Sequence, residues 1–447
     1  MAGDKEQDRS GRGLSRNPWA RSARLLRLPI GAAARTTSGL GRRLTGATAA
    51  QVSSRSRQLA AQQLFTVLGE LKGGAMKFGQ LLSVYEAMLP EEIAAPYREH
   101  LRRLQDSAPP MPAARVHAVL TRELGPGWRM RFSRFDDRPV AAASIGQVHR
   151  AQWAATGAEV AVKVQYPGAD EALRSDLKQL RRLGRLVEPF AGAIDMGPLI
   201  DELTERISEE LDYRIEAVNQ QQAAEAFADD PEFCVPGVLD HTVRVMVSDW
   251  VEGAPLGTVA AMPPVERNEW GLRYARFLFA GPSRAGLLHA DPHPGNFKVL
   301  SDGRLGVVDF GLVSRMPEGL PPAIGRLLSL ALGDDAGTVA AGLRTEGFVD
   351  VSVDAQTLLE FLSPFVEPAR RPNFHFSRAW LRSEYERVRA SSGRSDIGSQ
   401  INLPPDYLLV HRVWMGGIAV LAQLDVHADF GAVLTEFLPG YQPDRAI

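Results

Sequence analysis

Three short segments combine the residue types that phosphoryl transfer requires. GLLHADPHPGNF (286–297) sets Asp291 and Asn296 on a proline-rich loop, the kind of rigid platform that holds reactive side chains in place. GVVDFGLV (306–313) has an apolar strand delivering Asp309 into a glycine-terminated turn, eighteen residues after Asp291. PVAAASIGQVHRA (139–151) is followed by VAVK, which ends at Lys163. A carboxylate such as Asp291 can orient or deprotonate an attacking hydroxyl. A second carboxylate, Asp309, and an amide oxygen, Asn296, can hold Mg²⁺ against phosphates. Such hard oxygen donors suit Mg²⁺, which keeps several waters and shares the phosphates of its substrate. A strand–turn–strand over a nucleotide needs small residues so that backbone can approach phosphates, and Ala141, Ala143, Ser144 and Gly146 supply them here. Val148 would then cover the base, and Lys163 would reach the α- and β-phosphates from the neighbouring strand.

Each segment also has a plainer reading. A lysine ending an apolar strand is most simply a solvated strand end. His289 and His293, four residues apart, have the spacing of a helical zinc pair, but Pro292 and Pro294 argue against a helix there. Cys234 is the only cysteine, so no internal disulfide and no cysteine-built zinc site can form. A reducing compartment, the cytoplasm, is the expected setting.

The elements that must position these groups follow from periodicity. With 447 residues the chain holds two or three domains. Hydrophobic residues at 45% and charged residues at 23% exclude global disorder, a collagen-like repeat and a coiled coil. Leu64, Val67, Leu68, Leu71, Phe78, Leu81 and Leu82 recur at helical spacing, and a further helix is expected near Ala113–Leu124. Residues 130–165 alternate and are rich in β-branched side chains, most clearly in EVAVKVQ (159–165), so strands are expected. Helical spacing returns from about Asp170 to Ala228, followed by a strand in TVRVMVSDWVEG (242–253). Beyond Pro263 the expectation is predominantly helical, apart from one strand in RLGVVDFG (304–311). No apolar run is long enough to cross a bilayer.

HADPHPGN, DFG, VAVK and AAASIGQV together resemble the UbiB/AarF family of atypical kinase-like proteins. KFGQ (77–80), LQDSAPP (104–110), ELDYRIEAVN (210–219) and LPPDYLLVHRVWMGGIAVLAQLD (403–425) extend the resemblance over about residues 60–430. It implies an α+β, bilobal protein kinase-like fold with a small mixed-sheet N-lobe and a large helical C-lobe. The expected organisation is a basic flexible arm (1–50), a helical extension with the KxGQ signature (51–128), an N-lobe with inserted helices (129–253) and a C-lobe (254–447). By the same resemblance, Lys163 pairs with a helix glutamate, Glu216 for first choice, and Glu210 with Asp212 forms the family's ExD element. Asp249, Trp250, Val251 and Glu252 match the adenine-contacting hinge. Lys77, Gly79 and Gln80 match the KxGQ signature, which folds over the site, although from spacing alone Lys77 and Gln80 are simply the solvated face of a helix. The implied ligands are ATP or ADP with Mg²⁺, and the implied setting is quinone or isoprenoid-lipid metabolism. A rival reading is a nucleotide-gated chaperone or scaffold of lipid-biosynthesis enzymes with little turnover. Departures from ordinary protein kinases bear on this. Alanines stand where glycines usually cradle phosphate, Ala290 replaces an arginine, and His293 stands in the place of a lysine.

Charge is unevenly placed. Between Asp8 and Glu70 lie eleven arginines and no acidic residue, interleaved with Trp19, Leu25, Leu26, Leu28 and Ile30. That pattern suits salt-sensitive contact with anionic membrane lipid, each arginine adding at most about 1 kcal/mol, and the family resemblance adds an isoprenoid-lipid precursor as a partner. A solvated tail has the same composition, while no nucleic-acid fold signature accompanies the charge and no specific nucleic-acid binding is expected. On the membrane reading, the full-length protein floats with anionic liposomes and a truncation beginning at Gln51 does not. Equal flotation of the two removes the lipid role of the arm.

Overall fold

The computed structural model describes residues 110–143, 145–169, 211–333, 335–349, 354–392 and 405–443. The basic arm, the extension carrying Lys77 and Gln80, Ser144, Glu210 and the expected helical stretch 170–210 lie outside the described residues.

The first body is an antiparallel sheet capped by a helix. β1 (Phe132–Phe135), β2 (Ala141–Ala143), β3 (Gly146–Trp153), β4 (Glu159–Gln165), β6 (Val238–His241) and β7 (Val245–Asp249) form it, in the order β1-β3-β4-β7-β6 with β2 on β3. In β4 the alternation is clean: Val160, Val162 and Val164 are fully buried, while Ala161 and Lys163 are less so. The valines pack beneath α1 (Ala113–Leu124), which places Val116, Val119, Leu120 and Leu124 along one stripe and ends at Gly125 with φ +89°. Each fully buried valine contributes about 1.5–3 kcal/mol. α1 falls within the stretch expected to be a separate extension, yet its core is that of the sheet.

Register decides the opposite face. Val148 stands directly across from Lys163, and Lys163 directly across from Met246. Cross-strand partners share a face, so the valine, the lysine and the methionine form one row away from α1. Ile145, Tyr213, Ala217 and Met246 gather on this side, where α2 (Tyr213–Ala226) packs against the sheet.

The second body is mostly helical. α3 (Pro264–Ala285) runs through it with Tyr274, Phe277 and Leu278 buried. α4 (Pro322–Leu332), α5 (Ala336–Thr345), α6 (Ala355–Arg370), α7 (Arg378–Ser392), α8 (Pro405–Leu424) and α9 (Phe430–Phe437) complete it. The expectation of one strand beyond Pro263 is corrected here. The strand in 304–311 shrinks to β11 (Leu305–Val307), and β9 (Leu287–His289), β10 (Phe297–Val299), β12 (Val313–Arg315), β13 (Phe374–His375) and β14 (His427–Ala428) are also present, while β8 (Ala254–Pro255) precedes that point. β5 (Phe233–Cys234), β11, β10 and β8 make one small sheet, and β9 pairs with β12. Strands of two or three residues carry too few side chains for alternation to register, and only tertiary pairing defines them.

One buried polar chain ties the sheet to the segment before α1. His149 is fully buried and stacked on Phe135 at 5.1 Å. Its Nδ1 donates to the Asp136 carbonyl (2.8 Å), leaving Nε2 to accept from the Gln147 amide (2.8 Å). The Gln147 Oε1 accepts from the Met111 N–H at 2.7 Å. Burial pushes the His149 pKa below the ordinary histidine value, against the carbonyl bond and nearby aspartates that raise it. The folded protein therefore keeps this ring neutral while the unfolded chain protonates it below about pH 6.5. Stability is present above that pH and is lost as pH falls toward the folded pKa. Urea titrations between pH 7 and 5 should show proton uptake on unfolding, smaller in His149→Gln by at most one proton.

Candidate active site

Lys163 is the centre of the site. Its Nζ lies 2.6 and 2.8 Å from the two oxygens of Glu216 and 3.5 Å from Asp309 Oδ2, with the Tyr213 ring centroid 5.1 Å away. Glu216 is buried in the first turn of α2, where the helix dipole favours a carboxylate. Burial disfavours the Lys163 ammonium, but the Asp309 and Glu216 carboxylates outweigh it and hold its pKa above the ordinary lysine value. Three elements distant in sequence (β4, α2 and the turn after β11) meet at this one cation.

Gly146 shows how close the packing is. A Cβ there would lie 2.4 Å from the Val164 carbonyl oxygen and 2.7 Å from the Tyr213 hydroxyl, so only glycine lets β3 lie against both. Ala141 faces Val148, and Ala143 faces Gly146, across the β2–β3 pair. Ala143 is buried and Ala141 exposed, so the turn has side chains where a phosphate-cradling loop has bare backbone.

Asp291 and Asn296 sit on a loop zipped to the Asp309 turn. Ala290 N–H donates to the Leu312 carbonyl (2.9 Å), Val308 N–H to the Asn296 carbonyl (2.9 Å), and the Asn296 side-chain amide to the Asp291 carbonyl (3.3 Å). That last bond uses the Asn296 nitrogen. Pro294–Asn296 is a single 3₁₀ turn, so His289 and His293 do not share a helix. His293 Nδ1 instead accepts from the Gly295 N–H at 3.1 Å. His289 is enclosed by Phe277, Phe297 and Phe310, and burial lowers its pKa, so the neutral ring donates from Nε2 to the Asp309 carbonyl at 3.0 Å. Asp309 itself has φ +65°, a strained value for a residue with a Cβ. The backbone reversal swings its carboxylate toward Lys163, and the Gly311 N–H donates to Oδ1 at 3.3 Å. Among the described residues no group of three or more His, Cys, Asp or Glu side chains forms a metal cage. Asp309 and the Asn296 amide oxygen are hard oxygen donors of the kind Mg²⁺ takes together with water and phosphate.

The remaining expected residues fall in two places. Asp249 ends β7, the Trp250 N–H donates to the Glu159 carbonyl (3.0 Å), Val251 is buried, and the chain enters β8 of the second body three residues later. Glu252 Oε2 accepts from the Trp250 indole (2.8 Å) and from Arg150 (3.1 Å), while Arg150 lies over the indole at 4.8 Å. Asp212 is not among the groups at Lys163. Its side chain caps α2 at the Arg214 N–H (3.0 Å) and pairs with the Arg214 guanidinium. Tyr213 and Tyr274 were not singled out from sequence. Tyr213 lies inside ELDYRIEAVN, where its 213/217 spacing marks a core position. Tyr274 donates from its hydroxyl to the Pro292 carbonyl (2.7 Å), bracing the Asp291 loop from α3, and no motif around it announces this.

A sheet-bearing lobe with a lysine–glutamate pair, facing a helical lobe with the Asp291, Asn296 and Asp309 loops, defines a kinase-like protein. The ABC1 atypical kinase-like domain matches residues 103–341, and the chain belongs to that family, the UbiB/COQ8 group. It is 33% identical over 389 residues to Protein ACTIVITY OF BC1 COMPLEX KINASE 3, chloroplastic, of Arabidopsis thaliana, covering 84% of this chain and 51% of the relative. It is 29% identical over 311 residues to Atypical kinase COQ8B, mitochondrial, of Danio rerio, covering 67% and 49% respectively. The chain thus spans about half the length of the curated relatives it matches. The solved structure of an Rv3197–erythromycin complex from Mycobacterium tuberculosis is 43% identical, with a TM-score of 0.67 over 88% of this chain and 99% of that one. The bilobal kinase-like fold expected from sequence is therefore the fold of this chain.

Glu216→Ala should cost about 3 kcal/mol in urea unfolding, because it leaves Lys163 buried with only the partly exposed Asp309. The double variant Lys163→Met with Glu216→Leu should recover most of that loss, since apolar replacements remove the uncompensated charge.

Proposed function

We propose that this chain binds ATP or ADP with Mg²⁺ in the cleft between its two lobes and transfers or hydrolyses the terminal phosphoryl group. The observation that carries this reading is the Lys163 ammonium held at once by Glu216 and Asp309, beside the loop of Asp291 and Asn296. In this reading Lys163 steadies the α- and β-phosphates, and Asp291 orients or deprotonates the acceptor hydroxyl. Asp309 and the Asn296 Oδ1 hold Mg²⁺, which when bound offsets the charge of the phosphates. Ala141, Ala143, Ser144, Gly146 and Val148 cover the nucleotide, and residues 249–252 meet the adenine. Lys77 and Gln80, with Glu210, would close over the site; all three lie outside the described residues.

The acceptor is best read as small or lipid-like. β12 ends at Arg315 and α4 begins at Pro322, so little chain remains for a protein-docking platform after the Asp309 turn. The family resemblance supports a role in quinone or isoprenoid-lipid metabolism, with the arginine-rich arm reaching a membrane surface. No helix among the described residues is long and apolar enough to span a bilayer. A second reading, a nucleotide-gated scaffold with little turnover, draws support from the alanine side chains of the β2–β3 turn and from Ala290 beside Asp291.

Asp291→Asn should lower ATP consumption about 10²-fold or more while keeping the thermal shift with Mg-nucleotide. Asp309→Asn should remove the magnesium dependence of that shift. Turnover unchanged in both variants overturns the catalytic assignment. A magnesium-dependent shift without turnover in the wild type selects the scaffold.

A further inference from the structure

The segment ELDYRIEAVN ends on an asparagine whose bonds go to neither Lys163 nor Asp291. Asn219 lies one turn beyond Glu216 on α2 and is 3% exposed. A carboxamide buried that far has to be paired at both ends, because an unmatched polar group in the interior is costly. Its partners come from the segment that follows Asp309. Asn219 Nδ2 donates to the Phe310 carbonyl at 3.4 Å, and Oδ1 accepts from the Arg315 guanidinium at 3.2 Å. A carbonyl only accepts and a guanidinium only donates, so the two partners fix which end of the amide is which. One side chain thus fastens both ends of the stretch 310–315 to the helix that carries Glu216.

This fastening acts where the backbone is strained. Asp309, immediately before Phe310, has φ +65°, a conformation that persists only where its surroundings over-determine it. His289 holds the Asp309 carbonyl, and β12 pairs with β9, setting Val313 opposite His289 and Arg315 opposite Leu287. Those bonds seat the turn on the second body. Asn219 seats it on α2, and Gly311 lies against the same helix. A Cβ at Gly311 would stand 3.5 Å from Glu216 Oε2 and 3.2 Å from Asp309 Oδ1. Lys163 is already held by Glu216, so its 3.5 Å separation from Asp309 Oδ2 depends on how this turn meets α2. Only a side chain with a donor beside an acceptor can make both bonds. Aspartate lacks the donor, and an apolar residue lacks both.

We propose that Asn219 is a positioning residue: by holding the Phe310 carbonyl to α2 it sets the Asp309 carboxylate where Mg²⁺ is taken up, and Arg315 orients its amide. The proposal rests on the reading of Asp309 as a metal donor.

The test is a magnesium titration of the full chain at one saturating ADP concentration. The readout is the rise in melting midpoint over the same protein without nucleotide. Asn219→Ala and Asn219→Asp should each raise the Mg²⁺ concentration at half-effect about fivefold, the worth of one neutral hydrogen bond. Arg315→Met, at an exposed side chain, should raise it at least twofold. Adding Arg315→Met to Asn219→Ala should change nothing further, because the two residues act through one bond. A residue that only fills space would lower the melting midpoint of the free protein and leave the magnesium midpoint where it was. Near-ultraviolet circular dichroism reports whether each variant folds, and Arg315→Met carries the test if neither Asn219 variant does. A wild type whose shift with ADP ignores Mg²⁺ overturns the reading of Asp309 and this proposal with it. A wild type that responds to Mg²⁺, with the same midpoint in the folded variants, overturns the role of Asn219 alone.

Discussion

A single buried cation organises the region between the two lobes. Lys163 on β4 is flanked by Glu216 from α2, 53 residues further along the chain, and by Asp309 from the turn after β11. An ammonium taken from water must be compensated by charge or it deprotonates, so the two carboxylates cannot drift far without penalty. That requirement links the twist of the sheet, the entry angle of α2 and the backbone reversal at Asp309. The close approach of β3 at Gly146 belongs to the same constraint, because Tyr213 fills the space between that glycine and the lysine.

The second body supplies rigidity for the facing loops. Short strands clamp the segment 286–315 at several points, and the neutral His289 ring and the Tyr274 hydroxyl each hold one carbonyl of the loops. The strain stored at Asp309 is tolerated because this scaffold over-determines the turn. The chain passes between the two bodies twice in quick succession, from β5 to β6 and from β7 to β8.

Much of this was legible beforehand. The valine alternation of EVAVKVQ identified β4 and its buried face, and HADPHPGN with DFG located the loops and their reactive groups. Glu216 was named through family resemblance, since nothing in its helical spacing separates it from a surface glutamate. The short strands were missed because two or three residues cannot display a period. Asp212, grouped with Glu210 by motif, also caps α2, because an aspartate one residue before a helix finds backbone N–H groups within reach, while Glu210 and Lys77 lie outside the described residues.

The motifs, through their resemblance to a known family, indicated the family and the bilobal α+β fold, while residue type and spacing named side chains able to handle phosphate and magnesium. These depend on local chemistry that a linear string records. Tertiary structure alone decided that Val148 stands opposite Lys163, that Glu216 and Asp309 share one ammonium, and that Tyr274 braces Pro292. Register and burial arise from the simultaneous fit of segments far apart in sequence, and no single segment encodes them.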